Sequence, residues 1–153
     1  PDSYGLIECT RRRSGKTARA ALAAFDPPSR MYNVQSGIQS KTRDDAKSFF
    51  IKLMGSFKYL PDFFQPVYDY KKIQSTLDFR FPAASQKLNK SAVELNSDVT
   101  FKSSDNLAYD SQKLIRYVRD EFAKIDVRDP KANIVEGWAI VKPTMSLGSK
   151  SQP

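Results

Sequence analysis

Histidine is absent from the 153 residues, and cysteine occurs once, at Cys9. These two gaps remove whole classes of chemistry. His-based triads and His metal sites need a side chain that the chain does not have. A single thiol forms neither an internal disulfide nor a cysteine zinc cluster. No apolar run approaches the roughly 20 residues that a membrane helix needs. No secretory leader is legible either, so a cytoplasmic setting is the expectation. Internal repeats and low-complexity blocks are also missing. What remains is enough to fold: 40% of residues are hydrophobic and 12% aromatic, which suits one domain with a real core. The net charge is +8. Such a balance suits anionic partners, nucleotides or nucleic acid, and equally a basic, solubilising surface.

The elements alternate. "YGLIEC" (Tyr4–Cys9) reads as a short buried strand. "GKTARAALAAF" (Gly15–Phe25) is alanine-rich and reads as a helix, which the two prolines of "FDPPS" should break. "RMYNVQS" (Arg30–Ser36) reads as a second strand. Thr42 caps a helix running to about Phe57, with Asp45 as its capping-box partner. There, Ala46, Phe49, Phe50, Leu53, Met54 and Phe57 form one apolar face. "TLDFRF" (Thr76–Phe81) and "DVTFKS" (Asp98–Ser103) alternate as half-buried strands. "KLIRYVRDE" (Lys113–Glu121) is a further strand candidate. "NIVEGWAIVKPTM" (Asn133–Met145) reads as a helix carrying Ile134, Trp138 and Val141, ending near Pro143. Strands alternating with helices predict an α/β fold with a mostly parallel sheet covered by helices on both faces.

Residues 8–17, "ECTRRRSGKT", carry the chemistry. Gly15-Lys16-Thr17 is how a phosphate-binding loop of pattern G-x-x-x-x-G-K-[ST] ends, although Thr10 stands where the pattern has its first glycine. Gly15 lets the backbone approach a phosphate because no Cβ intervenes. Lys16 would reach the β- and γ-phosphates, and the Thr17 hydroxyl would ligate Mg²⁺. Such a loop sits between a strand and a helix, so that backbone N–H groups point at the anion. The plainer alternative is a basic helix start.

A magnesium–nucleotide site also needs carboxylates. "LIRYVRDE" supplies Asp120 and Glu121 after an apolar run. Asp120 would hold the metal's water shell, and Glu121 would orient the attacking water. Arg116 and Arg119 interrupt the run, whereas a buried parallel strand should be more uniformly apolar. The alternative is a charged helix with both acids on its solvated face.

"TRRRSGKT" resembles the Walker A loop of large terminase subunits, the DNA-packaging ATPases of tailed phages. "GIQSKTRDDAKSFFIKLMGSFKYLPDFFQPV" (Gly37–Val67) looks like their segment after the second strand. "SSDNLAYDSQKLIRYVRDEFAK" (Ser103–Lys124) looks like their Walker B segment. The resemblance spans nearly all of Gly5–Val141. It implies an incomplete P-loop NTPase domain of the ASCE type over residues 1–153, with an added antiparallel strand pair. It implies ATP and Mg²⁺ as ligands and Arg12, Arg13, Ser14, Gly15, Lys16 and Thr17 as the nucleotide-binding stretch. Lys16, Glu121 and Arg12 would be catalytic, with Arg12 as an arginine on the γ-phosphate, and Thr17 and Asp120 would hold the metal. Thr10 is then tolerable, because the first glycine only shapes the turn. Arg11 and Arg13 have no assigned side-chain role beyond surface or DNA-facing charge.

The same resemblance implies double-stranded DNA, a portal protein and a small terminase subunit as partners. It implies a homo-oligomeric ring and a place in the infected bacterial cytoplasm, docked on the procapsid. The chain departs from the family in three respects. The Ser/Thr-rich coupling tripeptide is not convincingly present in "PTMSLGSKSQP". The nuclease half and the upstream adenine-binding segment are missing, so the chain is expected to be a fragment. Two other readings stay open: another P-loop motor on nucleic acid, such as a helicase, and a non-catalytic basic nucleic-acid-binding module.

Overall fold

The computed structural model describes residues 5–11, 14–65, 78–81, 95–125 and 128–149, with 78–81 and 146–149 described by backbone alone. Helix α1 spans Lys16–Arg30, strand β1 Gln35–Gln39 and helix α2 Arg43–Lys58. Strands β2 (Asp78–Phe81), β3 (Ser97–Lys102) and β4 (Leu114–Arg119) follow, and helix α3 covers Ile134–Ser149. The four strands form one sheet in the order β2-β3-β1-β4. β1 pairs in parallel with both β3 and β4, while β2 runs antiparallel to β3. The chain is therefore α/β, with a three-stranded parallel sheet flanked by helices and one antiparallel edge strand.

Side chains alternate between the two faces of a strand, and β1 shows this directly. Ile38 joins Ala21, Ala24 and Phe25 of α1, the apolar stripe of α2, and Val99 and Phe101 of β3 in the larger core. All six stripe residues expected of α2 are buried. Thr42 caps this helix: its Oγ1 accepts from Asp45 N–H at 3.1 Å and donates to the Asp45 carboxylate at 2.7 Å. Phe25 and Phe57 meet at 5.5 Å, and Phe50 and Phe101 at 5.0 Å between ring centroids. Each such side chain, fully buried, contributes roughly 1.5–3 kcal/mol. Gly37 faces the other way, toward the second core of Tyr109, Leu114 and Val141. That face is covered by α3 and the turns before β4.

Four expectations need correction. Gly5–Cys9 is not a strand: it makes no ladder, and Leu6 and Ile7 are 87% and 73% exposed. Two large apolar side chains bury too little surface to offset the entropy of ordering the segment. The prolines do not end α1, which runs through Pro27 and Pro28 to Arg30. They fall in its last turn, where Pro28 is buried, Ser29 Oγ donates to Asp26 O at 2.7 Å and Arg30 pairs with Asp26. The second strand begins at Gln35, because Arg30 is helical and Asn33 turns the chain at φ 55°. Finally, α3 runs past Pro143 to Ser149. Of the strand expected at Thr76–Phe81, residues 76 and 77 lie outside the described residues.

The arginines of β4 are explained by its place at the sheet edge. Arg116 is exposed. Arg119 passes beneath the first turn of α3, where its Nη1 donates to Ile134 O at 3.4 Å. Among the described residues, no helix is long and apolar enough to cross a membrane.

Tyr109 ties the two faces together. Its hydroxyl donates to Ile38 O at 2.9 Å, accepts from Ile38 N–H at 3.0 Å and lies 3.1 Å from Thr100 O. The ring fits only because residue 37 has no side chain: a Cβ there would stand 2.8 Å from Tyr109 Cζ and 3.1 Å from Leu114 Cδ1. Gly37→Ala is expected to destabilise the fold by about 1–3 kcal/mol, read from the midpoint of urea unfolding at unchanged slope.

Candidate nucleotide site at the carboxyl end of the sheet

Gly15 immediately precedes α1 in the left-handed region, at φ 78° and ψ 7°. Glycine reaches this conformation without strain, and an added Cβ would meet open space. The need for glycine is therefore one of backbone conformation. The turn presents the unbonded N–H groups of the first helical turn outward, and no acidic side chain occupies that turn. Ser14 Oγ donates to Thr10 Oγ1 at 2.9 Å, which folds the loop back on itself where the usual pattern has a glycine.

β1 and β4 lead away to opposite faces of the sheet. From β1 the chain enters α2, on the α1 side, whereas from β4 it proceeds to α3 on the other. Crevices of this kind, outside the carboxyl ends of parallel strands, are where open α/β sheets bind ligands. Asp120 stands at the mouth. Its N–H donates to Gln39 O at 2.8 Å, which ties the end of β4 to the end of β1. Its Oδ1 accepts from Glu121 N–H at 3.0 Å and faces Lys16 Nζ at 4.0 Å. Two residues distant in sequence, both singled out above, are thus brought together.

The other expected residues fall differently. Thr17 lines the cavity beside the loop together with Ser14, Gly15 and Lys16. Glu121, in left-handed backbone at φ 52°, is paired with Lys124 at 2.6 Å. In this arrangement its carboxylate is engaged by Lys124. Arg12 and Arg13 lie outside the described residues. Among the described residues before the loop, 5–11, there is no strand, and Glu8 is held by Arg19 of α1.

Sequence reading missed three participants. Gln39 positions Asp120 through its backbone carbonyl, and Lys52 and Ser56 of α2 line the loop-side cavity of about 340 Å³. Lys52 and Ser56 stand on the polar side of an amphipathic helix, where spacing gives no hint of a neighbouring loop. A larger cavity of about 590 Å³ lies at the far end of α1, between Arg30 and Arg116. It is remote from the loop, and Asp26 already neutralises Arg30 there.

Among the described residues, no three acidic or cysteine side chains converge as a metal cage. Asp120 is one carboxylate beside Lys16, and Mg²⁺ needs only one or two carboxylates, because it keeps several waters and takes its other ligands from substrate phosphate. Comparison with family models, with curated proteins and with solved structures finds no match.

Behind Asp120, the Tyr117 hydroxyl donates to Gln39 Oε1, and Gln39 Nε2 donates to the carbonyls of Ser103 and Asp105 at 2.6 and 2.8 Å. Burial pushes the Tyr117 phenol up to about 12, against a smaller downward pull from Arg119. The raised value means that the folded state holds this proton more tightly than the unfolded chain, whose tyrosine titrates near 10. The stability this contributes is fully present below about pH 10 and is lost as pH rises toward about 12. Tyr117→Phe should show a shallower decline of melting temperature over that window than wild type, and absorbance at alkaline pH should show a late-titrating phenol in wild type that is lost in the variant.

Proposed function

We propose that the chain binds Mg·ATP at the Gly15–Thr17 loop and hydrolyses it as the ATPase part of a DNA-packaging motor of the large terminase type. The observation that carries this reading is the approach of Lys16 to Asp120 at the carboxyl end of the sheet. A cation on a helix start and an acid at a strand end are the two halves of a P-loop site, here of the ASCE type.

Each residue then has a task. Lys16 and the backbone N–H groups of the loop hold the β- and γ-phosphates. Thr17 Oγ1 and the Asp120 carboxylate would be the protein's donors to Mg²⁺. When bound, the metal neutralises charge on the β- and γ-oxygens. Arg12 adds a guanidinium to the γ-phosphate. Glu121 orients the attacking water, which requires it to release Lys124. The basic surface would follow double-stranded DNA through its phosphates, with strong salt dependence and little sequence preference. A portal protein, a small subunit and a ring of copies belong to the same reading by resemblance.

A non-catalytic basic module is the second reading, favoured by the non-strand backbone of the described residues 5–11 before the loop and by the pairing of Glu121 with Lys124. Magnesium-dependent phosphate release separates the two. Lys16→Ala and Glu121→Gln are each expected to lower the rate by about 100-fold or more, with folding checked by circular dichroism. Equal release from wild type and both variants would remove the enzyme and leave the binding module.

A further inference from the structure

The cavity beside the loop has a use that the phosphate-binding residues do not exhaust. Beyond the loop residues Ser14–Thr17, it is lined by Ala18 and Ala21 of α1 and by Lys52 and Ser56 of α2. At about 340 Å³ it falls in the range of small-molecule sites, roughly 300–1,000 Å³. Two alanines supply apolar lining, and Lys52 brings an ammonium group with three N–H donors. Lys52 has no ion-pair partner among the described residues. Lys16, by contrast, directs its ammonium to Asp120, which is not among the residues lining this space. The loop thus has an acidic, metal-suited side toward β4 and an apolar side toward α2.

The geometry points to the notch between α1 and α2 as the seat of the nucleoside half of the nucleotide. This rests on the reading of the loop as a phosphate site. A triphosphate held between Lys16 and Asp120 has one end free to leave the metal side, and the notch is the adjoining apolar space. Base and ribose lie against Ala18, Ala21 and the Lys52 stem, and Lys52 Nζ donates to a ring nitrogen or a ribose oxygen. The site would then discriminate nucleotides from inorganic polyphosphate.

Calorimetric titration with Mg·ATP and with magnesium tripolyphosphate tests this, because the second ligand has the phosphates and no nucleoside. Ala18 and Ser56 are exposed and line the notch from different helices, so Ala18→Leu and Ser56→Leu fill the notch without touching the core. Each should weaken Mg·ATP about tenfold or more and leave tripolyphosphate within about twofold. Lys16→Ala should weaken both ligands. If Lys16→Ala does so while the two leucine variants leave Mg·ATP unchanged, or weaken both ligands alike, the notch is not the nucleoside seat and the loop reading survives. If Lys16→Ala changes neither ligand, or if wild type binds neither, the loop reading falls and the notch falls with it.

Discussion

Parallel pairing of β1 with both of its neighbours is the constraint from which the rest follows. Parallel strands cannot be joined by a tight turn, so each connection must cross a face of the sheet. β1 is hydrogen-bonded on both edges and packed on both faces. Its register depends on a position without a side chain, Gly37, into which the Tyr109 ring fits while its hydroxyl bonds Ile38 and approaches Thr100. One phenol thereby fixes the separation of β1 and β3 and the depth of the second core. With β1 so held, α1 and α2 take one face and α3 the other, and β1 and β4 end side by side. The bond from Asp120 N–H to Gln39 O is the last rung of that arrangement.

The ion pairs of the described residues divide by how they are reached. Arg30–Asp26 and Lys124–Glu121 are one helical turn apart and partly solvated. Such pairs contribute little, typically under about 1 kcal/mol. Lys16–Asp120 joins the start of α1 to the end of β4, with side chains 40% and 24% exposed at 4.0 Å. At that exposure and distance it also adds little to stability. Its position is set by the backbone of the loop and of β4, so the two charges are delivered to one place by the fold rather than drawn there by each other.

Legibility of the sequence followed the source of each element's stability. The apolar stripe of α2 was readable because its helix buries one face, and its cap because Thr42 and Asp45 bond locally. β3 and β4 were readable for the same reason, as runs whose side chains meet their own cores. β1 begins later than its sequence suggests because "QSGIQ" holds one large apolar residue, Ile38; the opposite face of the strand is covered at Gly37 by Tyr109, a residue remote in sequence. The prolines of α1 were misread because a penalty that is local was offset by a tertiary contact, the burial of Pro28. Gly5–Cys9 was misread in the opposite sense: a short apolar run suggested burial, but no partner ladder was available to it. In the candidate site, Gly15, Lys16 and Asp120 were legible from spacing and chemistry. Lys52 and Ser56 were not, since their relation to the loop exists only once α1 and α2 pack.

The charges around the loop separate two kinds of anion. Arg11, Arg12, Arg13 and Lys16 lie within six consecutive positions, and any polyanion would relieve their repulsion. A bare DNA phosphate would gain nothing from Asp120, whose carboxylate cancels much of the Lys16 charge and repels the backbone. An anion that arrives with a divalent cation meets the reverse situation: the carboxylate becomes attractive and the lysine remains so. The acid beside the lysine therefore lowers the affinity of this place for plain phosphate while raising it for a magnesium-bearing one. Basic loops that serve nucleic acid alone have no use for such an acid, which is the physical ground for proposing a nucleotide rather than a nucleic-acid phosphate at the mouth of the sheet.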